Sequence, residues 1–162
     1  IKNNKLTVKL KNNVNIKGSP TLVVYINAAS IDNFKVAADS KITLENTLVS
    51  NESTINISAD SYFTGEVNVD KLNLKAAADA RADLYGTVDY LNADLSADVR
   101  VSDYDLIVND LKLKMAADCD AELTVNNSIQ IDATADCVLK YKGNAAIIHQ
   151  HLKADSRIIK MD

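Results

Sequence analysis

Apolar and polar residues alternate through most of the chain. Leu6, Val8 and Leu10, Val67 and Val69, Leu72 and Leu74, Leu111, Leu113 and Met115, and Ile129 and Ile131 are each separated by a Lys, Thr, Asn or Gln. A period of two sends one set of side chains to a core and the other to water, which predicts β-strands. Apolar residues three and four apart, the mark of an amphipathic helix, do not recur.

A longer period overlies the short one. Ala-Asp stands in a fixed context in V-A-A-D-S (Ala38-Asp39), I-S-A-D-S (Ala59-Asp60), A-A-A-D-A (Ala78-Asp79) and L-S-A-D-V (Ala97-Asp98). It continues in M-A-A-D-C (Ala117-Asp118), T-A-D-C (Ala135-Asp136) and L-K-A-D-S (Ala154-Asp155). Successive Ala numbers differ by 21, 19, 19, 20, 18 and 19. Ala28-Ala29-Ser30 reads as an earlier, degenerate copy. Strands repeating every ~19 residues predict stacked coils. The expected fold is a single all-β domain over residues 1–162, a right-handed parallel β-helix (β-solenoid) of about seven to eight coils. The rival, a sandwich of meandering strands, does not require in-register repeats. Two positions before the repeat Ala stand Val36, Ile57, Ala76, Leu95, Met115, Ala133 and Leu152; four positions after it stand Ile42, Phe63, Ala82, Val101, Ala121, Leu139 and Ile158. Both columns are apolar and should face inward. The Ala itself, and the small residues two later (Ser40, Ser61, Ala80, Val99, Cys119, Cys137, Ser156), share that parity and are expected to face inward with them.

Composition sharpens this reading. The 162 residues include 18 Asp but 4 Glu, with 4 Gly, 1 Pro and no Trp. Asp competes with helical backbone bonds and Glu does not, so a helix bundle is disfavoured. A net charge of −4 with scattered Lys gives no footprint for nucleic acid. No run is long enough for a membrane span and no signal peptide stands at the start. The chain opens mid-pattern at Ile1, which reads as a processed or trimmed product.

The repeated V-A-A-D-S and I-S-A-D-S, with the ending from Tyr141-Lys142-Gly143-Asn144 to Lys160, resemble the bacterial auto-transporter adhesin family with the head GIN domain. The resemblance implies a right-handed β-solenoid whose small, glycine-containing turn recurs once per coil. Here Ala, followed by Asp, stands in place of that glycine. The family's Gly-Ile-Asn stretch is absent, so an upstream portion is expected beyond Ile1. The resemblance further implies a protein of Gram-negative bacteria that is exported to the periplasm, the outer-membrane surface or the medium. Adhesion is the implied role, and no catalytic residue is carried over.

Several constellations admit a chemical reading. The aspartates Asp39, Asp60, Asp79, Asp98, Asp118, Asp136 and Asp155 should form a column ~4.8 Å apart. Like charges at that spacing repel by about 1 kcal/mol in water. Asp tolerates left-handed backbone angles, so a turn role is favoured; a row of carboxylates for Ca²⁺ is the alternative. Three positions after the repeat Ala lies an outward column of Lys41, Tyr62, Arg81, Arg100, Asp120, Val138 and Arg157. Tyr62, Arg81 and Arg100, with Tyr85 and Tyr104 stacked on adjacent coils, are the candidate surface for a sugar or a protein. Cys119 and Cys137 occupy one repeat position, within disulfide reach; two packed, reduced thiols are favoured. His149 and His151 share a strand face and can chelate a metal, but no third ligand stands near them in sequence. No nucleophile triad, phosphate loop or metalloprotease motif is present, and no cofactor is expected. The expected function is a non-enzymatic surface module binding a glycan or protein partner, with self-association possible through the solenoid ends. The alternative is a polysaccharide-active enzyme with a groove along the coils.

Overall fold

The computed structural model describes residues 5–10, 18 and 21–162. The chain forms two compact units, 1–30 and 31–162. In the first, the alternating Leu6, Val8 and Leu10 and the run Leu22 to Ile26 are exposed, and neither these nor Ala28-Ala29-Ser30 form a strand. Alternation fixes which side chains share a face but supplies no partner edge.

The second unit is an all-β solenoid of about seven turns. Its strands are β1 (Asn33–Ala37), β2 (Lys41–Thr43), β3 (Leu48–Ser58), β4 (Tyr62–Ala77), β5 (Arg81–Ser96), β6 (Arg100–Ala116), β7 (Asp120–Thr134), β8 (Val138–Lys142), β9 (Ala146–Lys153) and β10 (Arg157–Lys160). Every pairing is parallel, and β4 to β7 each pair with the next in sequence, which is the ladder a stack of coils requires.

Two corners shape each coil. At the first, both residues of the Ala-Asp pair take left-handed backbone angles, with φ from 47° to 61° at all seven copies. The ladder runs through this corner: Asp39, Asp60, Asp79, Asp98, Asp118 and Asp136 each donate a backbone N–H to the carbonyl of the next coil's repeat Ala, at 2.8–3.0 Å. Beyond the corner the polarity reverses. The N–H groups of Tyr62, Arg81, Arg100, Asp120, Val138 and Arg157 donate back to the preceding coil's carbonyls at 2.8–3.1 Å. Two successive left-handed residues also break the alternation, so the repeat Ala points outward, contrary to the inward parity expected of it. It is exposed in six copies and half-buried at Ala135. The residue after Asp turns inward as expected, from Ser61 to Cys137.

The second corner falls where two adjacent residues face out together, as at Asp70 and Lys71. The ladder skips Asn51, Asp70, Asp89 and Asn109 there, and the Asn109 side-chain amide donates to Asp89 at 2.9 Å. Short Asx side chains serve this bend, as they serve turns generally.

Between the corners, inward residues stack in columns. Leu72, Leu91, Leu111 and Ile129 form one; Ile57, Ala76, Leu95, Met115 and Ala133 form another, and all are buried. Each Leu removed from water contributes about 1.5–3 kcal/mol. Ser53 heads the first column, and its buried Oγ has no hydrogen-bond partner among the described residues. Gly86 and Gly143 stand eight residues after their repeat Ala, at positive φ, where a Cβ would lie 2.2 and 2.3 Å from the carbonyl oxygens of Val67 and Val125. Only glycine lets the backbones approach that closely.

Candidate functional site

Parallel, in-register stacking turns each outward position into a column of side chains ~4.8 Å apart. The column three residues after the repeat Ala is assembled as the spacing predicts: Lys41, Tyr62, Arg81, Arg100, Asp120, Val138 and Arg157 are successive rungs. The Lys41 ammonium lies 4.7 Å above the Tyr62 ring, and the Tyr62 hydroxyl donates to Asp83 Oδ2 at 2.6 Å. Partial burial, reinforced by that bond, raises the Tyr62 pKa above the usual phenol value. Arg81 and Arg100 are exposed. The contact of Arg100 with Asp120, 3.9 Å across an exposed surface, holds it only weakly.

The second aromatic pair departs from expectation. The ladder between β5 and β6 shifts register between Ala82 and Gly86, because β6 carries an extra residue there. Tyr104 is therefore not seated on Tyr85. Its ring instead lies 4.8 Å beneath the Lys142 ammonium, while Tyr85 stays exposed.

The repeat aspartates line the first corner, all exposed and all left-handed. Among the described residues none of their carboxylates has an ion-pair or hydrogen-bond partner, and no three or more His, Cys, Asp or Glu side chains form, as they stand, a group that could hold a metal ion. Directly behind this column, Cys119 and Cys137 are buried free thiols in register, and the Cys119 backbone N–H donates to Cys137 Sγ at 3.4 Å. Burial pushes the Cys119 thiol up to about 11.

Sequence reading missed a third column, three residues before the repeat Ala. Lys35, Asn56, Lys75, Asp94, Lys114, Asp132 and His151 are successive rungs, so charge alternates in sign from Lys75 to Asp132. Counting back from each Ala would have shown it. Other cross-coil pairs follow the same logic: Lys71 meets Glu52 at 2.8 Å, lowering the Glu52 pKa, and Lys140 meets Glu122 at 2.8 Å, raising the Lys140 pKa.

Two hollows mark this surface. One, of about 280 Å³, lies over Asn56, Lys75 and Asp94; the other, of about 510 Å³, lies beside Asp136, Asp155 and Arg157. Both are open, and neither walls water away from a reacting bond. Long rows of exposed polar side chains on a rigid support suit the recognition of an extended partner.

A family model described as "Putative auto-transporter adhesin, head GIN domain" matches residues 1–145. The chain belongs to this family. No curated protein and no solved structure matches it. The family's description names an adhesin head and implies an exported or surface location. Among the described residues no helix is long and apolar enough to cross a membrane. The last coil, β9 and β10, lies outside the matched residues.

Proposed function

We propose that the solenoid is a non-catalytic adhesion module that binds an acidic glycan along the column Lys41, Tyr62, Arg81 and Arg100, with Tyr85 and Tyr104 beside it. One observation carries this reading: a cation, an aromatic ring and two guanidinium groups stand in register on four successive coils. Guanidinium groups match carboxylate and sulfate oxygens in paired hydrogen bonds, and tyrosine offers a ring to a sugar face. The ladder fixes the backbone spacing, so a partner with repeating charge meets these groups at a regular interval.

An array of neutral, carboxylated and sulfated glycans, probed with the intact chain, tests it. Acidic glycans should be retained in a salt-sensitive manner, and the double variant Arg81→Ala/Arg100→Ala should lose them while keeping its circular dichroism. Binding that the double variant leaves intact, or none to acidic glycans, rejects the assignment. Capture of an acidic protein by the same face in place of any glycan would reassign the partner.

A further inference from the structure

The last coil holds an arrangement that neither the family match nor the adhesion reading uses. His149 and His151 project from one face of β9, two residues apart. The ladder beneath them is irregular: Ile129 pairs with Ile147, but Gln130 pairs with His149, leaving Ile148 as an extra residue. Without that bulge His149 would sit over Ile131, which is buried. The bulge thus aims both imidazoles outward, over Gln130 and Asp132, a use of bulges that recurs beside functional sites.

Both rings converge on one oxygen. His149 Nε2 lies 3.3 Å and His151 Nδ1 3.7 Å from Asp132 Oδ1, and all three side chains are about half exposed. Two donor atoms at about 2.0–2.1 Å from a tetrahedral zinc ion are themselves about 3.3–3.4 Å apart. The two imidazole–carboxylate separations are near that value, although the side chains as they stand do not form a group that could hold a metal ion. A shell therefore requires both rings to rotate, which their exposure on the strand leaves them free to do.

We propose that His149, His151 and Asp132 bind a divalent late transition-metal ion, with water completing the shell. Two imidazoles and a carboxylate are the donor set that suits zinc and its neighbours, and they exclude Ca²⁺ and Mg²⁺, which take oxygen ligands. Lys114, the next rung beyond Asp132, carries a like charge to the metal and weakens the site without blocking it.

Titration calorimetry of the full chain with ZnCl₂ is the test, with circular dichroism of each variant showing that the exposed substitutions leave the solenoid folded. One Zn²⁺ per chain is expected. His149→Gln, His151→Gln and Asp132→Asn should each weaken binding by at least about 10-fold. Co²⁺ in place of Zn²⁺ should give visible absorption bands that the two histidine variants lose. A folded chain that takes up no Zn²⁺ at about 1 mM, or uptake that all three variants leave unchanged, overturns the proposal.

Discussion

Two columns of charge run along this solenoid under opposite rules. At the first corner, seven aspartates stack on one another with no partner among the described residues. On the strands just before that corner, Lys75, Asp94, Lys114 and Asp132 alternate in sign. On a regular strand any side chain fits the backbone, so cross-strand pairing selects the residue, and opposite charges are favoured. At the corner the backbone selects first, because most L-residues pay about 1–2 kcal/mol for a left-handed angle and Asp pays less. Repulsion between exposed carboxylates, about 1 kcal/mol in water, is the smaller effect and is tolerated.

The same substitution in both columns gives the largest contrast. Asp98→Val should cost about 2 kcal/mol or more in urea unfolding, since a β-branched residue is poorly accommodated at positive φ. Asp94→Val, on a strand, should stay within about 1 kcal/mol. Equal losses at the two positions would remove the backbone from the explanation.

The inner lining of the corner differs from its rim in a way that pH reveals. Cys119 is buried directly behind Asp118, and its thiol is raised from 9.0 to about 11. The native state therefore holds a proton that the unfolded chain releases above pH 9. Stability from this group is fully present below pH 9 and is lost as pH rises to about 11, by up to about 2 kcal/mol. Cys119→Ala should flatten that part of the profile relative to wild type; an unchanged slope would place the thiol in contact with water.

Charge changes should have smaller effects of opposite sign. Asp94→Lys creates a run of three lysines with Lys75 and Lys114 and should cost about 0.5–1 kcal/mol, less at high salt. Asp98→Asn keeps a residue that tolerates the corner and relieves repulsion on both sides, so it should be neutral or stabilising by about 0.5 kcal/mol.

Much of this was legible in the sequence. Repeat spacing gave the coils, and the apolar columns from Val36 and Ile42 onward, with the small column from Ser61, lie where counting places them. The repeat Ala was misplaced because period-two counting assumes extended backbone, and Ala97-Asp98 is not extended. Tyr85 and Tyr104 were misjudged because a repeat of 20 residues, from Ala97 to Ala117, reveals an insertion but not its location. For His149 and His151, no third ligand stands near along the chain, whereas stacking sets Asp132 beside them from the coil below. In a solenoid, neighbours in space are one repeat apart in sequence.

The most direct test of the corner's role is urea unfolding of wild type and Asp98→Asn, each with and without millimolar Ca²⁺. If the aspartates serve the backbone, the variant's midpoint equals or exceeds that of wild type, and Ca²⁺ moves neither. A wild-type midpoint that Ca²⁺ raises, with the increase abolished by Asp98→Asn, would contradict the account and make the column a cation site.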